Sequence, residues 1–408
     1  LFQRHTGLPD LPPPPRAPEA NRHEKLATDK NRDFAERFRA GNANFLAEVA
    51  EARAETLARL SGPETAEEGA GRRAAAVTQT QVESPAIATQ PARRQTDLPL
   101  ILHIGAHKTG TTLVQKTFHQ HRAKLARHDV IYPDTNRFHF AQHRLAFALK
   151  GKRDPSKRDL PRLEAEAAEL AGAMVGVRAG ARASDTRVFL SSEAFFELGR
   201  DRIEALHRAL PTRNVSILAV LRRPDTLLLS IYNQKMKGPR NRFSSPIDEF
   251  WDHPERLSGD LDMARCVETW ASVFGRDRIL LRCYEDAGPL EIALGAVGLP
   301  ADLVTEPKRL NRSTPAAVAE IIRLAKVRGM DPEEREGLLR RAMRHHKGGA
   351  PFEPGTERRR SVLAAMQPDL DRLFAQFGME NPYRPETVPD GLVPTPDLGA
   401  EHLLNELL

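Results

Sequence analysis

The sequence predicts an α/β fold, a mostly parallel β-sheet flanked by helices, with an N-terminal extension of short helices and disordered chain. Three observations carry this expectation. Short continuous apolar runs recur at 98–105 (LPLILHIG), 187–192 (RVFLSS), 214–221 (NVSILAVL) and 278–284 (RILLRCY). Runs of this length without polar alternation suit strands buried on both faces, as parallel strands are. Helical patterns follow the first three runs, and strands alternating with helices build βαβ units. The chain is also large enough for a substantial core, with 408 residues and 40% apolar content.

Taken in order, residues 1–60 read as an extension. Residues 1–20 are proline-rich and expected to be disordered. Phe34, Phe38, Phe45 and Val49 then fall at intervals of four, seven and four, the spacing of one helix face. Short helices are expected there, docking on the main domain or on a partner. Residues 61–97 contain no aromatic and few large aliphatic side chains, the texture of a flexible linker. The α/β domain is expected over 98–383. After its first strand a helix starts at Thr111, with Val114, Phe118 and Leu125 on one face. Residues 315–377 read as helices that cover the sheet. The proline-rich tail, 384–408, is expected to run over the surface. No internal repeat is visible.

Lys and Arg number 61 against 55 Asp and Glu, a formal charge of +6. That surplus suits anionic partners without choosing among them. Cys266 and Cys283 are the only cysteines. They have neither metal-ligand spacing nor a disulfide framework, so a reducing, cytoplasmic setting is expected. No apolar run reaches the roughly 18 residues of a membrane span. The first residues, LFQRHTGLPDLPPPP, lack the basic and apolar regions of a signal peptide. The chain begins without Met, as a fragment or a processed product would. Nucleic acid is not an expected partner, because aromatics are 6% of residues and no basic–aromatic platform appears.

The first chemical motif joins the first strand to its helix: Ile104-Gly105-Ala106-His107-Lys108-Thr109-Gly110-Thr111-Thr112. A loop in this place presents backbone N–H groups at a helix N-terminus, a ready anion site. Gly105 and Gly110 permit tight turns and close approach of a phosphate. Threonine hydroxyls add donors and Lys108 adds a positive charge. The two glycines match the nucleoside-triphosphate loop G-x4-G-K-[ST], but Thr111 stands where its lysine belongs. The runs that follow end in Ser191-Ser192-Glu193 and Leu221-Arg222-Arg223-Pro224, so neither offers an obvious Asp for Mg²⁺.

This loop closely resembles the 5′-phosphosulfate-binding loop of sulfotransferases that use 3′-phosphoadenosine 5′-phosphosulfate (PAPS). Their K-x-G-T-[TS] core reads here Lys108-Thr109-Gly110-Thr111-Thr112. A second segment fits the same family. Arg222 ends the 214–221 run, at the crevice where open α/β sheets bind ligands, and Ser230 lies eight residues on, two turns into a helix opened by Pro224. The resemblance implies that Arg222 and Ser230 hold the 3′-phosphate of PAPS. A guanidinium suits that task because its planar fork pairs two phosphate oxygens. Arg223 matches a variable position. The resemblance spans about 98–330 and implies the P-loop-like sulfotransferase fold of bacterial members. It has no counterpart for residues 1–95.

The implied reaction is transfer of a sulfo group from PAPS to an acceptor hydroxyl or amine, with a carbohydrate the expected acceptor. His107, Lys108, Thr109, Gly110, Thr111, Thr112, Arg222 and Ser230 would bind the nucleotide. The moving group carries one negative charge, so positioning and local charge can suffice, and no metal is expected. Lys108 would stabilise charge on the bridging oxygen. Glu193 is the first choice of general base, in place of the histidine of cytosolic relatives, and His143 the second. His139 and His143 are expected to share a helix face at i, i+4, with an acceptor-site role preferred to a metal role. Lys235, Lys237, Arg240 and Arg242 read first as a solvated basic loop, and second as a grip on an acidic glycan or the nucleotide. By analogy with the family alone, Asn311 and Ser313 would belong to a loop that closes over the nucleotide. His345-His346-Lys347 reads as the basic end of a surface helix. The alternatives are a P-loop kinase using ATP–Mg²⁺ and a non-catalytic module that binds polyanions.

Overall fold

A computed structural model describes residues 96–150, 159–178, 186–304 and 314–408. The expected N-terminal extension and linker, and Asn311 and Ser313, lie outside the described residues, save for the last two linker positions.

Five parallel strands form one sheet: β1 (Leu100–His103), β2 (Val130–Ile131), β3 (Arg187–Ser191), β4 (Val215–Leu221) and β5 (Ile279–Cys283). Their order is β2-β3-β1-β4-β5. Four of them fall within the four apolar runs read from the sequence. β2 is only two residues long and too short to show a pattern.

Alternation along the strands divides the interior in two. Leu100 and Leu102 of β1, Val188 and Leu190 of β3, and Ile217, Ala219 and Leu221 of β4 face one core. Ile101, Phe189, Leu218 and Val220 face the other. Helices α1 (Thr111–Gln120), α2 (Arg122–Ala126) and α8 (Pro289–Ala296) cover the second face through Val114, Phe118, Leu125 and Leu290. The single helix expected from Thr111 breaks at His121, yet its three apolar residues reach one core as expected.

The first face is covered by α3 (His143–Lys150), α4 (Leu160–Arg178), α5 (Arg200–Ala209), α6 (Pro224–Lys237), α7 (Met263–Phe274) and α11 (Thr356–Gln376). Burying each large aliphatic here contributes about 1.5–3 kcal/mol. A third cluster joins α9 (Ala316–Val327), α10 (Pro332–His345) and α12 (Ala400–Leu407) through Ile321, Ile322, Leu338 and Leu404. The expected surface tail contains α12, whose Leu404 is fully buried, and Val388 is buried before it.

The topology fixes where a ligand can sit. From β1 the chain turns toward β2, and from β4 it turns toward β5, although β1 and β4 are neighbours. Outgoing connections that part in this way open a crevice at the carboxyl ends of the two strands. The loops after β1, β4 and β3 all border it, and they carry Lys108, Arg222 and Glu193.

Candidate active site

The β1–α1 loop is held from three directions. Ala106 N–H donates to Val220 O at 3.3 Å, which pins the loop to β4. Thr109 turns inward, its hydroxyl donating to Ala106 O at 2.6 Å and its N–H to the same oxygen at 3.3 Å. His107 N–H donates to Asp260 Oδ1 at 2.9 Å. Lys108 and Gly110 both take left-handed backbone angles, φ +69° and +77°. For lysine that conformation costs about 1–2 kcal/mol, so the loop is held by its surroundings rather than by local preference. At Gly110 a Cβ would lie 2.5 Å from Pro289 Cγ, so only glycine fits.

Among the described residues, the amides of Lys108, Gly110, Thr111 and Thr112 have no protein acceptor. They stand at the start of α1, where the helix dipole adds partial positive charge. Two expected donors are absent from this cradle. The N–H of His107 is taken by Asp260, and the hydroxyl of buried Thr109 is spent on its own loop. Exposed Thr112 remains open to a ligand.

The second motif meets the first directly. Arg222 Nη1 donates to Lys108 O at 2.7 Å, and its guanidinium lies over the Tyr284 ring, 5.0 Å from the centroid. Its Nε is buried with no partner among the described residues, a donor that an anion would satisfy. Arg223 is committed elsewhere: its N–H donates to Glu285, its Nη1 to Thr387 O, and its Nε lies 2.9 Å from Asp225. The two adjacent arginines are thereby distinguished, one toward the loop and one into the scaffold. Ser230 lies half-buried on α6, and its hydroxyl has no hydrogen-bond partner among the described residues.

Charge accumulates over the loop. Burial lowers the pKa of Lys108, and the charges of Lys237 and Arg222 lower it further against the opposing pull of Glu193. The charge of Lys237 is thus felt at Lys108, whereas the basic cluster reads first as a solvated loop from its residues alone. The rest of that basic cluster is dispersed. Lys235 Nζ rests over Phe243, Arg240 lies 3.7 Å from Glu336, and Arg242 is exposed. The end of α6 that carries Lys237 is capped by Lys326, whose Nζ donates to Lys235 O, Met236 O and Asn241 Oδ1 at 2.9–3.0 Å.

On the β3 side, Glu193 stands in a polar network. Gln115 Nε2 donates to Glu193 Oε2 at 2.8 Å and approaches Ser191 Oγ at 3.3 Å. His143 Nε2 lies 3.9 Å from Glu193 Oε1, and its Nδ1 is 2.7 Å from Ser192 Oγ. Both expected base candidates thus share one cluster. Burial favours the neutral acid of Glu193, but the Gln115 bond and the charges of His143 and His107 outweigh it and hold the carboxyl below its ordinary value. Burial pushes His143 below its ordinary value, with Glu193 opposing. Beneath them His103 is fully buried, 2.9 Å from Ser191 Oγ, and burial lowers its pKa to about 4.

The expected shared face of His139 and His143 is not formed. α3 begins at His143, and His139 lies before it in an exposed turn at φ +58°. Buried Gln142 explains the change: it accepts from Ser191 N–H at 2.9 Å and its own N–H donates to Ser191 O, tying this turn to β3. The same turn leaves the rings of Phe138 and Phe140 exposed, with Phe138 packed on Phe147 and Phe147 stacked on His143.

Sequence reasoning missed Gln115, Asp260 and Tyr284. Gln115 sits four residues into α1 and was readable only as a helix residue. Asp260 lies 153 residues from the histidine it binds, and no local pattern marks it.

No family model matches the chain, and no curated protein matches it. Among solved structures, the chain is similar to a sulfotransferase from Alicyclobacillus acidocaldarius, at 17% identity and TM-score 0.38, covering 70% of this chain and 98% of that one. It is also similar to a sulfotransferase domain from the curacin biosynthetic pathway, at 12% identity and TM-score 0.31, covering 71% and 100%. A sulfotransferase domain of the Synechococcus olefin synthase matches at 14% identity and TM-score 0.30, covering 67% and 97%. At such identities and scores, the function has to be argued from the site itself.

Proposed function

We propose that this chain is a sulfotransferase that moves a sulfo group from PAPS to an acceptor hydroxyl or amine. The observation that carries the reading is the bond from Arg222 to the carbonyl of Lys108, which brings two anion-binding elements to one crevice. One is a loop with four open amides, Lys108 and a helix N-terminus. The other is a guanidinium whose buried Nε lacks a partner among the described residues. Two anion sites side by side suit a nucleotide with phosphate at two separate positions. In this reading the loop takes the 5′-phosphosulfate, and Arg222 with Ser230 takes the 3′-phosphate.

The chemistry follows from placement. The acceptor oxygen attacks sulfur in line, the new S–O bond forms, and the bond to the bridging oxygen breaks with its electron pair on the 5′-phosphate. Glu193, kept ionised by Gln115, takes the acceptor proton. Lys108 stabilises the charge that develops on the leaving oxygen. Its lowered pKa reflects burial and cationic neighbours, a surplus that an incoming polyanion relieves. His143 lies beside Glu193 and orients it. The acceptor enters past Phe138 and Phe140, and a neutral carbohydrate with an apolar face fits such rings.

The test is calorimetric titration with adenosine 3′,5′-bisphosphate, with ATP–Mg²⁺ in parallel. Micromolar binding of the bisphosphate without metal is expected. Lys108→Ala and Arg222→Ala should each weaken it about 10- to 100-fold, the loss of a charge-assisted bond. Preference for ATP–Mg²⁺ would sink this reading in favour of a kinase. Binding of unrelated polyanions with equal strength would favour a non-catalytic module.

A further inference from the structure

His107 lies inside the anion loop, yet its backbone does not serve the cradle. Asp260 holds it twice: the N–H donates to Oδ1 at 2.9 Å, and ring Nδ1 lies 3.0 Å from Oδ1 and 2.9 Å from Oδ2. Asp260 is 2% exposed. Ser258 Oγ donates to its Oδ2 at 2.9 Å, and its own N–H donates to Glu197 Oε1 at 3.0 Å. A carboxylate buried this deeply needs donors and positive charge around it. The pairing therefore puts a proton on Nδ1 of His107. Nε2 has no partner among the described residues, and the His107 side chain is 37% exposed, so that nitrogen is open to a ligand.

We propose that His107, fixed by Asp260, is a catalytic residue whose Nε2–H donates a charged hydrogen bond to the 5′-phosphate of the sulfo donor, stabilising the oxygen that leaves. This rests on the sulfotransferase reading. During transfer the S–O bond to that oxygen breaks with its electron pair on the phosphate. The acceptor proton goes to Glu193, and His107 keeps its own proton throughout, so no further reactant is needed. Lys108 and His107 then supply two neighbouring positive charges where one lysine alone would face a dianionic product. Asp260 acts through His107 as a positioning residue.

The groups that face the ring are Asp260, Glu193, Glu197 and His143. Burial opposes charge on the imidazole, but the Asp260 bond and the charges of Asp260, Glu193 and Glu197 outweigh it and raise the pKa above 6.5. A raised value means that the contribution of the cation is present in full below the ordinary imidazole range and is lost as pH rises through the raised value.

The test is binding of adenosine 3′,5′-bisphosphate to the full chain, measured from about pH 6 to pH 9, across the range in which imidazoles titrate. His107→Asn retains a donor for Asp260 but lacks Nε2. It should bind about tenfold more weakly at the acid end and converge with the parent chain at the alkaline end. Because ligand titration is common to both proteins, their difference isolates His107. Asp260→Asn keeps the ring and should move the pH at which affinity falls to a lower value. Equal losses at every pH would reveal a merely structural role and overturn the proposal, as would unchanged binding in both variants. If the parent chain is folded and fails to bind at any pH, the donor reading falls and this proposal with it.

Discussion

At the level of single residues, the proposed reaction separates groups that hold charge from groups that move a proton. Glu193 accepts a hydrogen bond from Gln115, and such a bond is stronger to the carboxylate than to its neutral acid. Its carboxyl is held below the ordinary 4.5, with the bond and nearby histidines outweighing burial. A base with a depressed pKa is ready above that value and lost as pH falls through it. Turnover should therefore persist through weak acid and decline only below about the usual carboxylate range. Glu193→Gln should lower turnover by about 10²- to 10⁴-fold and remove that acid limb. His143→Gln should cost less, because its 3.9 Å separation makes it a neighbour of the base. Release of adenosine 3′,5′-bisphosphate from PAPS, with an acceptor alcohol present, reads both variants. The reverse ranking would transfer the base role to His143. These assignments were partly legible in the sequence. Lys108, Glu193 and Arg222 stand at strand ends, where the chain itself predicts exposure to the crevice. Asp260 was not legible, because its value lies in a contact 153 residues away.

At the level of elements, the strands were the readable part. β1, β3 and β4 are apolar runs that need two covered faces, and their burial follows from that need, while edge strand β5 buries one face fully and leaves Arg282 exposed. β2 pairs with β3 through two residues and left no periodic trace. The helix start at His143 was missed because the ties of Gln142 to Ser191, a long-range bond pair, override the local helical spacing of His139 and His143. The end of α6 is a similar case. Its last carbonyls are satisfied by Lys326 from α9, and Arg335 from α10 donates to Asn241 O in the loop beyond at 2.9 Å. A cation at a helix C-terminus is favoured by the dipole as well as by the bonds themselves. That end carries Lys237, one of the charges acting on Lys108. Lys326→Met keeps the stem and removes three donors. It should destabilise the fold by about 1–3 kcal/mol, because buried carbonyls lose their partner. It should also weaken bisphosphate binding severalfold by loosening Lys237. Denaturant unfolding and calorimetry measure the two effects separately. A stability loss with unchanged affinity would show that Lys237 is held by other means.

For the molecule as a whole, the question is how far the helices outside the sheet cores contribute to the site. Val318, Ile321, Ile322, Leu338, Ala342 and Leu404 form a cluster distinct from the two cores on the sheet. α9 links them, because its Ala319 belongs to the main core while Ile321 and Ile322 belong to the outer cluster. The same helix carries Lys326. α12 closes the cluster with Leu404, and polar ties at its rim bind Arg328 to Glu401 and Asn405, and Arg341 to Leu407 O. Exposed ion pairs of this sort contribute little, so the buried leucine decides whether α12 stays docked. Leu404→Ala should cost about 2–5 kcal/mol through lost burial and the cavity left behind. Since the cluster is separate from the sheet, the loss should appear first as local opening of α12 and α9, with faster amide exchange there and protection retained in β1 and β4. Affinity for the bisphosphate should fall less than in Lys326→Met, because the cap itself is intact and only its supporting helix is freed. Uniformly faster exchange across the sheet would instead mean that the third cluster and the two cores unfold as one unit.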